Sequence, residues 1–136
     1  MIRRLLVGCT LVAVAATTGS LYFSEIAGYP PCDLCWYQRI LMYPLVAILG
    51  MAAIESRPAV WKTGLPLSVL GIGVSAYHTA LQILPATQCS VGGGCGAILW
   101  NGLGILTIPR LALLGFVLIT GGLILVARFD RRTTSY

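Results

Sequence analysis

The stretch GLPLSVLGIGVSAYHTALQIL, Gly64 to Leu84, runs from end to end without an Asp, Glu, Lys or Arg. A helix rising about 1.5 Å per residue needs about 20 residues to cross the roughly 30 Å hydrocarbon core of a bilayer, and this stretch has that length. Helix is required because an open strand in lipid leaves backbone N–H and C=O groups without partners. Three other apolar runs are long enough to do the same: Leu5 to Phe23, Trp36 to Ile54 and Leu103 to Ala127. The expected fold is therefore all-α, an integral membrane four-helix bundle, with residues 1–136 forming a single four-span domain.

Composition agrees with the bilayer as solvent. Hydrophobic residues make up 57% of the chain and charged residues 10%, and the mean hydropathy is +0.88. Nine basic and four acidic residues are too few to cover a soluble globule of this size. The net charge of +5 does not point to nucleic acid, because the basic residues form no stripe and sit mainly at the ends of apolar runs. Turn-forming residues separate the spans: Gly28, Pro30 and Pro31, then Ser56 and Pro58, then Pro85 and Gly92 to Gly94.

Arg3 and Arg4 ahead of an apolar run, with small residues from Ala15 to Ser20 behind it, also fit a cleaved signal peptide. Leu6-Val7-Gly8-Cys9 has the look of a lipoprotein cleavage box, yet almost no hydrophobic region precedes Cys9 and the run continues past it. Leu5 to Phe23 is therefore read as a span and Cys9 as a buried small residue.

Arg3, Arg4, Arg57, Lys62, Arg128, Arg131 and Arg132 all fall on one side of a four-span chain. The positive-inside rule makes that side cytoplasmic, with both termini inside and two loops, residues 24–35 and 85–102, outside. Tyr22, Tyr29, Trp36, Tyr37 and Trp100 then lie near the outer interface, where amphipathic rings are common.

This topology gives meaning to the cysteines. Cys32, Cys35, Cys89 and Cys95 fall in or beside the outer loops, in the compartment where disulfides persist. Cys32-Asp33-Leu34-Cys35 is a C-x-x-C at the entrance of the second helix, where free N–H groups and the helix dipole favour a thiolate. Cys89 and Cys95 enclose the glycine-rich Ser90 to Gly94. On spacing alone, structural disulfides or a Cys₄ zinc site remain open beside redox exchange.

Arg39 discriminates among these readings. It lies four positions after Cys35, on the same helix face and one turn deeper, where an unpaired cation near lipid is costly. It either snorkels to headgroups or serves locally, stabilising the Cys35 thiolate and polarising a quinone oxygen as that oxygen gains negative charge. His78, the one histidine, shares a face with Gln82 near the outer end of the third span. It suits helix packing through a hydrogen bond, or hydrogen bonding and proton relay beside a quinone.

Pro31-Cys32-Asp33-Leu34-Cys35-Trp36-Tyr37-Gln38-Arg39 resembles the P-C-x-L-C-x-x-x-R signature of the disulfide bond formation protein B (DsbB) family, particularly its short Gram-positive branch. His78 to Gln82 with Pro85 and Cys89, and Thr107-Ile108-Pro109, resemble its later segments. The resemblance implies a membrane protein-dithiol:quinone oxidoreductase that reoxidises a thioredoxin-fold, DsbA-type partner. It implies that Cys89 forms the mixed disulfide with that partner, Cys95 exchanges with Cys32, and Cys35 faces the quinone, ubiquinone or menaquinone. Arg39 would lie beside the quinone, with His78 a second candidate for the same pocket; no metal is implied. Longer members of the family carry an extended loop, whereas here only Ser90 to Gly94 separate the second pair. A structural or zinc-binding small membrane protein is the alternative, and it leaves Arg39 unexplained.

Overall fold

The computed structural model of the chain describes residues 1–28, 33–83, 101–102 and 106–135. Four long helices dominate: α1 (Ile2–Leu21), α2 (Asp33–Glu55), α3 (Trp61–Ile83) and α4 (Ile108–Thr134). All four are long and apolar enough to cross a membrane. α1 packs on α2 and α4, and α3 packs on the same two, so the helices close into a circuit in chain order.

The helices differ from the apolar runs at their ends, for local reasons. α1 begins at Ile2 and takes in Arg3 and Arg4, whose side chains are exposed. It runs directly into a π turn, Tyr22–Ile26, in which the Ala27 N–H donates to the Tyr22 carbonyl at 3.0 Å. α2 starts three residues before the apolar run, at Asp33, whose carboxylate complements the positive end of the helix dipole. Its far end closes with Ser56 in the left-handed region at φ 53° and the Arg57 N–H donating back to the Ala52 carbonyl at 3.0 Å. A 3₁₀ turn, Pro58–Val60, leads into α3. α4 starts at Ile108 rather than Leu103, because β1 (Asn101–Gly102) pairs antiparallel with β2 (Leu106–Thr107) just ahead of it. Pro109 then occupies the first turn of α4, where its missing N–H leaves no helical bond unmade.

The core follows helical spacing. Leu6, Cys9 and Ala13 of α1, Met42, Leu45 and Leu49 of α2, and Phe116, Ile119, Leu123 and Val126 of α4 are buried together. The inner face of α3 is different, offering Gly64, Ser68, Gly71 and Ser75. Lipid gives apolar side chains no reason to hide from it, so membrane helices associate through small residues that permit close approach and through hydrogen bonds. Gly71 receives the Phe116 ring, Gly64 receives Leu123, and Thr120 donates to the Ser68 hydroxyl at 2.9 Å.

Large apolar side chains cover the outside: Ile54 is 75% exposed, Leu11 63%, Ile40 60% and Leu70 59%. Such a surface is untenable in water and ordinary in lipid, and the chain is a multi-pass membrane protein. At the end of the bundle where α3 starts and α4 finishes, the Trp61 indole donates to Asp130 at 3.0 Å. The Arg131 guanidinium and the Lys62 ammonium lie 5.1 and 5.8 Å from the Trp61 ring centre. Tyr22, Trp36 and Tyr37 are each at least half exposed, toward the opposite end.

Candidate functional site

A cavity of about 390 Å³ lies between α1, α2 and α4 near the end that carries the C-x-x-C motif. Its space comes from small side chains: Ala15, Ala16 and Gly19 on α1, and Ala112 and Gly115 on α4. Met42, Leu111 and Phe116 add apolar walls. Ala15, Tyr43, Leu114 and Leu118 line it and are also exposed, so it opens sideways toward the lipid.

α2 supplies the polar chemistry. Cys35 sits in its first turn, half-buried, and lines the cavity. Arg39, one turn deeper, lines it too, as the i, i+4 spacing requires. The Arg39 side chain is only 7% exposed, which excludes a snorkelling arginine. Its Nε donates to the Ser20 hydroxyl at 2.8 Å and a terminal nitrogen donates to the Ser20 carbonyl at 2.9 Å. The guanidinium carbon lies 5.4 Å from the Trp36 ring centre, close enough for a cation–π contribution.

Among the described residues, no carboxylate lies within ion-pairing distance of Arg39; the one ion pair found joins Arg57 and Glu55 at 2.9 Å on the surface. A buried cation without a counter-ion raises the value of any negative charge formed beside it. A cysteine thiolate and a reducing carbonyl oxygen are both such charges. The donor set therefore fits an apolar, flat, electron-accepting carbonyl compound better than a metal ion. Among the described residues, no three His, Cys, Asp or Glu side chains gather.

His78 is buried on α3 and does not line the cavity. Its Nδ1 lies 3.1 Å from Nε2 of Gln38, which does. The structure thus places Cys35 and Arg39 on the wall of one cavity and ties His78 to Gln38 on that same wall. Cys32, Cys89 and Cys95 lie outside the described residues, as do Tyr29, Pro31, Pro85 and Trp100. Cys9 is 5% exposed, with its sulfur 3.9 Å from the Ile119 carbonyl oxygen and against Gly122, and it does not line the cavity.

Two contributors escape a reading of the sequence. Ser20 belongs to a small-residue run that looks like helix packing, and Gln38 sits beside Arg39 with nothing to signal its pairing with α3.

The sequence profile of the family described as Disulfide bond formation protein DsbB matches residues 2–126 of the chain. Disulfide bond formation protein C of Bacillus subtilis is 47% identical over 113 residues, covering 80% of this chain and 82% of its own length. Probable disulfide formation protein C 2 of Bacillus cereus is 39% identical over 126 residues, 90% of this chain and 89% of its own. Probable disulfide formation protein of Oceanobacillus iheyensis is 44% identical over 112 residues, 79% of this chain and 77% of its own. No solved structure matches the chain.

Proposed function

The chain belongs to the disulfide bond formation protein DsbB family, whose members are generally thiol:quinone oxidoreductases, and from that premise we propose that it carries electrons from an extracytoplasmic thioredoxin-fold dithiol protein to a membrane quinone. The observation that carries the reading is the sharing of one lipid-facing cavity by Cys35 and Arg39. In a bilayer such an opening admits a lipid-soluble acceptor without passage through water.

The residues present fit a quinone ring. Small side chains on α1 and α4 leave a slot with apolar walls, and Arg39 supplies charged donors at its polar end. Bound there, a quinone supplies a two-electron, two-proton acceptor of ubiquinone or menaquinone type. Arg39 favours the Cys35 thiolate and, in the same position, stabilises negative charge growing on an oxygen in the cavity. Gln38, held by His78, offers a neutral amide on the same wall. The apolar lining keeps water away, which strengthens these electrostatic effects.

The cysteine chemistry runs by thiol–disulfide exchange. Cys89 takes the partner's thiolate as a mixed disulfide, and the partner leaves oxidised as the Cys89–Cys95 pair is reduced. Cys95 then attacks Cys32, releasing the Cys35 thiolate, and Cys89 attacks Cys95 in turn, which re-forms the Cys89–Cys95 disulfide and leaves the dithiol on Cys32 and Cys35. The Cys32–Cys35 disulfide re-forms as two electrons leave toward the acceptor and two protons follow. For this two-electron couple about 30 mV corresponds to about 1.4 kcal/mol, so an acceptor modestly more oxidising than the partner makes the sequence one-way. Orientation supports the compartment: Arg3, Arg4, Lys62 and Arg131 mark the cytoplasmic end, and the C-x-x-C opens α2 at the other.

The test uses purified protein, a reduced thioredoxin-fold dithiol protein and a soluble quinone, followed by the quinone's ultraviolet absorbance. Wild type consumes quinone and oxidises the partner, while Cys89→Ser and Cys35→Ser do neither. Partner-dependent quinone loss that survives Cys35→Ser overturns the reading.

A further inference from the structure

We propose that Ser20 is a positioning residue for electron transfer to the quinone, docking one edge of the Arg39 guanidinium so that the other edge faces the cavity; the inference rests on the function proposed above.

A guanidinium is a rigid plane with five N–H donors. Ser20 takes two from one edge, Nε–H through its hydroxyl at 2.8 Å and a terminal N–H through its carbonyl at 2.9 Å. Two attachment points on a rigid plane fix its tilt as well as its place. One of them is main chain, on the last turn of α1, so the anchor has little freedom of its own. The Trp36 ring lies 5.4 Å from the guanidinium carbon, on α2 itself. Both Arg39 and Ser20 line the cavity. The donors left over are those of the second edge, the ones suited to a carbonyl or thiolate there.

The backbone beside Ser20 agrees with this role. The α-helical ladder changes to a π turn two residues on, at Tyr22–Ile26. Such turns alter which amide reaches which carbonyl and occur often at functional sites. Here the Ser20 carbonyl receives a side-chain donor from a different helix. Without the hydroxyl, the guanidinium keeps its carbonyl bond and gains freedom to pivot about it. Small misplacements of a charge-stabilising group are felt in turnover more than in folding.

A double-mutant cycle with the full-length protein in detergent or vesicles distinguishes positioning from packing, with kcat and quinone KM measured for each variant and quinone affinity taken separately by equilibrium titration of tryptophan fluorescence, where Ser20→Ala should weaken binding only while Arg39 is present. Ser20→Ala should lower kcat/KM for quinone by about three- to tenfold, and Ser20→Thr, which retains a hydroxyl, should recover to within about twofold of wild type. In an Arg39→Gln background, Ser20→Ala should add less than about twofold, because there is no guanidinium left to hold. If Ser20→Ala lowers activity by the same factor with and without Arg39, Ser20 only packs α1 against α2 and the proposal is wrong. If Ser20→Ala matches wild type while Arg39→Gln is impaired, the proposal fails and the quinone reading stands. If Arg39→Gln itself matches wild type, the reading of the cavity falls and this inference with it.

Discussion

Gln38 and His78 meet at 3.1 Å in the buried interior near the end of the bundle where α2 starts and α3 finishes, and tie the two helices together across 40 positions of sequence. With the ring proton on Nε2, the Gln38 amide donates and Nδ1 accepts. His78 thereby holds in place a side chain that lines the cavity, rather than lining it itself.

Replacement of His78 by Phe should therefore lower stability. Interhelical hydrogen bonds in membranes average only about 0.6 kcal/mol, but a buried amide left without its partner costs about 1–3 kcal/mol. The expected loss is about 1–2 kcal/mol in thermal or denaturant unfolding in detergent. His78→Phe combined with Gln38→Leu should regain part of it, since the Gln38 amide is then no longer stranded. A double variant as unstable as the sum of both single changes would show that the pair is not coupled.

The close fit of α3 to α4 makes two glycines of one helix behave oppositely. A Cβ at Gly71 would run into the Phe116 ring, while one at Gly73 meets nothing within 4 Å. Gly71→Ala should destabilise by about 1–3 kcal/mol through overpacking. Gly73→Ala should be neutral or gain up to about 1 kcal/mol from helix propensity. Unfolding midpoints of the two variants check this, and equal shifts for both would contradict the packing described.

How much of this was legible in the sequence depends on whether the cause is local. Four apolar runs of bilayer length predict four helices, since lipid allows a single-chain segment little else. Cys35 and Arg39 on one wall also follow locally, from four-residue spacing on one helix. The partners of Arg39 and His78 do not. Ser20 and Gln38 come from other helices, and nothing in Thr17-Thr18-Gly19-Ser20 or Trp36-Tyr37-Gln38 states which neighbour each will meet. Spacing pairs His78 with Gln82 on one face of α3, and the tertiary fold adds Gln38. The later start of α4 was hidden for a related reason. Leu103 to Thr107 is apolar enough to continue a helix, and the pairing of Asn101 with Thr107 and of Gly102 with Leu106 places Leu106 and Thr107 in a strand instead. Cys32, Cys89 and Cys95 lie outside the described residues, and their roles rest on the proposal above.

Cys9 should be a bystander. It is 5% exposed in the core between α1 and α4, so an alkylating reagent should label it only after unfolding. Cys9→Ala should leave quinone turnover within about twofold of wild type. Rapid labelling of Cys9 in the folded protein, judged by peptide mass, would place it on an accessible surface and contradict the packing.

Whether electrons leave the protein through Cys35 into the cavity it shares with Arg39 can be measured without any partner protein. Fully reduced protein is mixed with a soluble quinone, and loss of thiols and loss of quinone absorbance are followed together through a single turnover. Wild type should lose two thiols for each quinone reduced, as a two-electron couple requires, Arg39→Gln should do so more slowly, and Cys35→Ser should not do so at all. Oxidation of Cys35→Ser by quinone at the wild-type rate would contradict exit through Cys35.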